Sequence, residues 1–184
     1  MESLDRYLFE LFNQTLSFSL FDTWMPYITD LHKQPGFTKI TLPILIIAWI
    51  WQSRAEAIKA IVMLALCIGC VDVLCYRVLK PTFKRERPPA VEKTIKLRTQ
   101  RFSGYSFPSN HAANNFAGAT VLAYFYPPYA IAFYGVAALV AYSRVYVGVH
   151  YPFDVMVGGL LGWFVALCFI FIIKRIPFLK RYRF

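Results

Sequence analysis

The chain has 184 residues, of which 58% are hydrophobic and 18% aromatic, with a formal net charge of +10. The apolar residues come in long runs rather than the short alternations of a water-soluble core, which excludes an ordinary soluble domain and points to an integral membrane protein. The basic excess gathers between Arg77 and Arg101 and in the tail KRIPFLKRYRF instead of forming a face on a soluble fold, so it speaks for anionic lipid headgroups and against nucleic acid.

In chain order, residues 1–36 are too polar for a span but place Leu4, Leu8, Leu11, Phe12 and Leu16 on one helical face, the pattern of an amphipathic segment lying in the membrane interface. This segment has no basic start and no small-residue cleavage site, and is not read as a signal peptide. Apolar runs follow at 38–52, 57–79, 112–127, 129–146 and 154–173, each near the ~20 residues a helix needs to cross ~30 Å of hydrocarbon. The expected fold is therefore an all-α membrane bundle of about five transmembrane helices, one embedded domain over 1–184 with no repeat and no second module. Cys67, Cys70, Cys75 and Cys168 all fall inside spans. The CIGC pair has no second pair or nearby histidine, so these cysteines are expected to pack as small hydrophobes.

Five alternating spans put the segments 80–107 and 144–154 on one side, and 53–56 and 127–128 on the other. That parity brings three polar clusters to one surface: KPTFKRERP (80–88), FPSNHAANN (107–115) and SRVYVGVHYPFD (143–154). In the first, Lys80, Lys84, Arg85 and Arg87 precede two prolines, which predict a stiff, non-helical exit. In the second, Ser109 is placed to cap a helix whose free N–H groups and partial positive charge suit a phosphate, and His111 stands beside that anion site as a candidate general acid. Asn114 and Asn115 lie a turn further; spacing does not choose between donors behind the site and polar contacts between helices. In the third, Pro152 opens the last helix. Asp154 then lies about one turn beyond His150, near enough to fix its tautomer and leave the other nitrogen free to attack. Arg144 ends an apolar helix, where a charge without an anion is expensive. Together these make a phosphoryl-transfer set: a nucleophile, an orienting acid, a second proton carrier and a cationic cradle. Beyond Glu86 and Asp154 the clusters hold almost no carboxylates, so no metal and no cofactor is expected.

The three segments resemble the type-2 phosphatidic acid phosphatase superfamily of membrane lipid phosphatases and soluble haloperoxidases. Lys, six residues, Arg-Pro is matched by Lys80 through Arg87 and Pro88. Ser-Arg, five residues, His, three residues, Asp is matched by Ser143, Arg144, His150 and Asp154. The middle motif, usually Pro-Ser-Gly-His, reads Pro108, Ser109, Asn110, His111, with asparagine, a residue that also tolerates positive φ, in place of glycine. The resemblance implies that Lys80, Arg87, Arg144, Ser109 and Asn110 hold phosphate, that His150 attacks to give a phosphohistidine with Asp154 orienting it, and that His111 protonates the leaving oxygen.

Family members usually have six spans; here segment 1–36 stands in place of the first, as in compact bacterial members acting on envelope lipids. The resemblance implies a lipid phosphate partner in a bacterial inner membrane: lipid A 1-phosphate, undecaprenyl pyrophosphate or phosphatidylglycerol phosphate. Further cations at Lys84, Arg85, Lys93, Lys96, Arg98 and Arg101 favour a headgroup with more than one anionic group. The family's site faces the periplasm, although Lys and Arg are more numerous on the motif side. A phosphotransferase would share every motif residue and differ only in its acceptor, and a non-catalytic lipid binder or transporter would have little use for His150, Asp154 and His111 together.

Overall fold

The structure is a computed structural model that describes residues 2–92, 94–99 and 102–175; Lys93, Arg101 and the tail beyond Arg175 lie outside them. The described chain runs α1 (Glu2–Glu10), α2 (Ser19–Asp30), α3 (Leu42–Val73), the single turns α4 (Lys80–Phe83) and α5 (Pro88–Val91), then α6 (Asn110–Phe125), α7 (Ala130–Tyr146) and α8 (Pro152–Arg175). No strand occurs among the described residues. Three stretches are long and apolar enough to cross a membrane: Phe37–Val91, Pro127–Tyr146 and Pro152–Arg175. The first is 55 residues long, which as continuous helix would measure ~80 Å, more than twice a hydrocarbon core. It breaks at Arg54 (φ 37°, ψ −107°), inside the polar stretch that separates the first two predicted spans. The protein is thus a multi-pass membrane bundle with its break where the hydropathy lapses.

The 16-residue α6 carries asparagines at 110, 114 and 115 and packs against α3, α7 and α8, so its polarity faces protein instead of lipid. The main core joins Met63, Cys67, Val71 and Cys75 to Ala113, Ala117 and Val121 of α6 and to Val165, Ala166 and Ile170 of α8. All four cysteines are free, and Cys67 and Cys75 are buried in or beside this core as small apolar groups. Large side chains face outward, Ile131, Trp51, Leu160 and Phe164 among them, as expected where lipid is the solvent. The approach of α6 to α8 depends on two glycines one turn apart. A Cβ at Gly158 would overlap the Ser109 carbonyl, and one at Gly162 the Ala113 carbonyl. This contact seats the start of α6 against the start of α8.

The N-terminal segment turns its polar stripe inward. Asp5, Phe9 and Asn13 are buried, while Leu4 and Leu16 are about half exposed. Phe9 packs on Tyr151 with ring centroids 5.3 Å apart. Asn13 Nδ2 donates to the carbonyls of Lys96 (3.0 Å) and Tyr146 (2.9 Å), and its Oδ1 accepts from the Lys96 N–H at 2.9 Å. Leu4 and Leu16 point outward, Phe12 packs on Tyr142, and the buried face is tied to the loop and helix ends that carry the polar clusters.

Candidate active site

At the end of α7 the chain turns through Gly148, whose φ of 87° suits a residue without Cβ; a Cβ there would also lie 3.1 Å from the Lys96 carbonyl. The turn delivers His150 to the interior, 2% exposed. Its Nε2 lies 3.0 Å from Arg87 Nη1, and its Nδ1 lies 3.4 Å from Asp154 Oδ2. The latter distance is too long for a strong hydrogen bond, because the same oxygen accepts the Tyr151 N–H at 2.9 Å. Asp154 Oδ1 receives Arg85 Nη1 at 2.7 Å. A carboxylate facing Nδ1 and a cation facing Nε2 favour the tautomer with its proton on Nδ1 and its lone pair on Nε2. Burial, and then the nearby charges of Arg87, Arg144 and Lys80, hold the His150 imidazole well below its ordinary range, so it is neutral at pH 7.

Three cations converge on that nitrogen's side of a cavity of about 330 Å³, whose lining includes Lys80, Arg87, Arg144, Asn110, His111 and His150. Lys80 Nζ donates to the Tyr105 carbonyl at 2.5 Å. Arg87 is held by the carbonyls of Gly104, Ser103 and Val149 at 2.8 to 2.9 Å. Arg144, 2% exposed, donates Nη1 to Thr29 Oγ1 at 2.7 Å, while its Nε has no hydrogen-bond partner among the described residues. Backbone carbonyls and a hydroxyl orient these cations without neutralising them, and the arrangement suits an anion. The prolines after Arg87 behave otherwise than expected. Arg87 itself is extended, but Pro88 opens the helical turn α5, since proline suits a first helical position.

Ser109 stands at the cap position of α6, yet its hydroxyl makes no capping bond and is buried away from the cavity lining. The start of α6 is seated tightly on α8 instead: the Ser109 N–H donates to the Asp154 carbonyl at 2.9 Å, and Gly158 admits the Ser109 backbone closely. Asn110 and Asn114 both donate to Asp72 Oδ1, at 2.8 and 2.9 Å, and Asn115 donates to the His111 carbonyl at 2.9 Å. These amides therefore brace the start of α6. His111 faces the cavity with its Nε2 unpartnered among the described residues, and its ring meets that of His32 edge-on at 5.1 Å.

Of the residues the sequence pattern brought forward, Lys80, Arg87, Asn110, His111, Arg144 and His150 line one cavity, but the pattern missed several that complete the setting. His32 and Lys33 line the cavity, Thr29 holds Arg144, Asp72 braces α6, and Asp5 meets Arg85. Only His32, one of just three histidines in the chain, carried any signal. Carboxylates are scarce within the motifs, but the fold brings Asp5 and Asp72 to them from elsewhere. The inference from surplus cations needs correction as well. Arg85 is spent on Asp5 and Asp154, Arg98 on Asp22 and three backbone carbonyls, and Lys96 on Ser17 and the Gln14 carbonyl, all of which fasten the N-terminal segment. Arg85 and Arg98 are thereby neutralised by carboxylates, whereas Lys96 is oriented by neutral groups and keeps its charge.

The bundle defines a helical membrane protein with a buried, cation-lined pocket. The sequence model of the PAP2 superfamily matches residues 56–177, and the chain belongs to that superfamily. Its structure is similar to that of LpxE from Aquifex aeolicus (TM-score 0.72, 28% identity, covering 91% of this chain and 94% of that one). It is also similar to a transmembrane PAP2-type phosphatidylglycerolphosphate phosphatase from Bacillus subtilis (TM-score 0.67, 25% identity, 96% and 87% covered). By sequence it is 33% identical over 127 residues to a lipid A 4'-phosphatase of Bacteroides thetaiotaomicron, covering 65% of this chain and 56% of that protein. The chain spans about half the length, or less, of the first curated relatives it matches.

Proposed function

We propose that the chain is a metal-independent phosphatase that removes phosphate from a bacterial envelope lipid through a phosphohistidine on His150. The observation that carries this reading is His150 Nε2, 3.0 Å from Arg87, in a cavity that Lys80 and Arg144 also line. The phosphoryl group lies among these three cations and the first N–H groups of α6 at Asn110. Ser109 contributes through the backbone it fixes. The Nε2 lone pair attacks phosphorus, Asp154 balances the charge that grows on the ring, and His111, whose proton affinity burial and Arg144 lower to about 2 and the anionic phosphoryl group must raise, gives a proton to the leaving lipid oxygen. His111 then takes a proton from the water that cleaves the phosphoramidate bond, releasing inorganic phosphate.

The named functions of the similar proteins support lipid A or phosphatidylglycerolphosphate as the substrate class, with undecaprenyl pyrophosphate as the third member. The site faces the periplasm from the inner membrane. The basic count on the motif side, which argues for the opposite orientation, weakens once Lys80, Arg85, Arg87, Lys96, Arg98 and Arg144 are recognised as fixed within the protein by their own contacts. The test is phosphate release by the purified protein in detergent from these three lipids, with and without chelator. Release that survives chelation is expected. No release from any of them overturns the reading, and loss that magnesium restores overturns the metal-free mechanism.

A further inference from the structure

The carboxylate that faces His150 is itself held by a chain of charges reaching into the N-terminal helix, outside the residues that the family model matches. Asp5 of α1 is 1% exposed, and each of its oxygens is used: Oδ2 receives Arg85 Nη2 at 2.6 Å, and Oδ1 accepts the Phe153 N–H at 2.9 Å. Arg85 gives its other terminal nitrogen to Asp154 Oδ1 at 2.7 Å and lies over the Tyr151 ring, 4.2 Å from its centroid. Asp154, fully buried, accepts the Tyr151 N–H with its second oxygen, which faces His150 Nδ1 at 3.4 Å. Two carboxylates thus satisfy free N–H groups at the start of α8, and one guanidinium fork bridges them.

A buried carboxylate is costly to keep, and a lone Arg85 could neutralise Asp154 fully. With Asp5 sharing the guanidinium, Asp154 keeps more of its negative charge toward His150, and its Oδ1 is anchored so that Oδ2 faces Nδ1. We propose that Asp5 is a positioning residue of the reaction centre, acting through Arg85 to set the orientation and the effective charge of Asp154 beside His150. The proposal rests on the phosphatase reading for its catalytic consequence but not for its electrostatic one.

The groups that face His150 are Lys80, Arg87 and Arg144 on the cationic side, Asp154 with Arg85 and Asp5 behind it, and His111 across the cavity. Removing Arg85's charge lets Asp154 act on the imidazole undiminished, so His150 binds a proton at higher pH. Removing Asp5's charge leaves Arg85 wholly to Asp154, so His150 binds a proton at lower pH. If Asp5 works only through Arg85, its removal does no further harm once Arg85 is gone.

The experiment uses the full chain in detergent, labelled at its three histidines for NMR, as wild type, Asp5→Asn, Arg85→Gln, the double variant and Arg85→Lys. The His150 titration is followed beside kcat/KM for whichever of the three lipids the wild type hydrolyses fastest. The expected result is an upward shift for Arg85→Gln with about a tenfold or greater loss of kcat/KM, and a downward shift for Asp5→Asn with a smaller loss. The double variant should match Arg85→Gln, and Arg85→Lys, which keeps the charge, should titrate near wild type. Losses that multiply in the double variant, an unmoved titration in Asp5→Asn, or Arg85→Lys titrating like Arg85→Gln each overturn the proposal. A wild type that hydrolyses none of the lipids defeats the phosphatase reading, while the titrations still decide the relay. If Asp5→Asn does not fold, Asp5→Glu, which keeps the charge on Arg85, takes its place: a His150 titration near wild type in Asp5→Glu supports the proposal, and one shifted as in Arg85→Gln overturns it.

Discussion

Beside His150 three flanking groups are each held by others: Arg87 by three carbonyls, Lys80 by one, and Asp154 by Arg85 and the Tyr151 N–H. Around His111 the opposite holds, since its Nε2 has no partner among the described residues and its nearest ring neighbour is another histidine, His32. Under the proposed mechanism the attacking side is the braced one and the proton-donating side the one without a protein partner. The phosphoryl acceptor must be aimed before substrate arrives, whereas the proton donor meets its partner only when the leaving oxygen is present. The comparison gives the two histidines unequal consequences when they are lost.

The largest effect is expected at the braced side. His150→Ala should lower phosphate release about a thousandfold or more while the protein stays folded in detergent, because no other group near Arg87 can replace the nucleophile. Near-normal turnover in a folded variant would break the comparison at its stronger end.

At the proton-donating side the loss should depend on the substrate. His111→Ala should cost about a hundredfold or more on a lipid monophosphate, whose alkoxide leaves poorly, and much less on a nitrophenyl phosphate. The ratio of kcat/KM values on the two substrates checks this. Equal losses would mean that the proton reaches the leaving oxygen from elsewhere, with His32 the next group to replace.

The pH profile sharpens the contrast further. Attack needs neutral His150, whose proton affinity is lowered by burial and by Arg87, Arg144 and Lys80. The acid limb of kcat/KM should therefore lie below the ordinary histidine value of about 6.5, and activity should hold as pH falls from 8 to 6. An acid limb at or above 7 would mean that the cations around Nε2 are farther away or better neutralised than their contacts indicate.

A smaller effect belongs to Thr29, which orients Arg144 through one hydroxyl at 2.7 Å. Thr29→Val keeps the shape and removes the acceptor, worth about 1 kcal/mol, so a roughly fivefold fall in kcat/KM is expected. No change would show that Arg144 is aimed by packing alone.

Thr29 also shows what a sequence can and cannot carry. The motif residues were legible because they stand at fixed short spacings, His150 and Asp154 four residues apart and Lys80 and Arg87 seven, and the fold brings Lys80, Arg87 and His150 to one cavity. The apolar runs were legible because lipid requires them, and the break at Arg54 falls in the polar gap between two of them. Thr29, His32, Asp5 and Asp72 reach the site by tertiary packing, at sequence separations set by no local rule. Arg85 and Arg98 looked like free headgroup contacts because a cation's partner cannot be read from its own neighbours in the chain. Gly158 and Gly162 fell inside an apolar run, where their role in bringing α8 to the Ser109 backbone shows only once the helices are packed.

The central claim is a covalent phosphate on His150, and trapping it is the most direct test. Protein mixed with lipid labelled in the transferable phosphate and quenched within milliseconds should carry label that is stable to base, labile to acid, and absent from His150→Ala. If label is trapped in His150→Ala, or if wild-type protein turns over rapidly with no label trapped at any time, the phosphohistidine account is wrong.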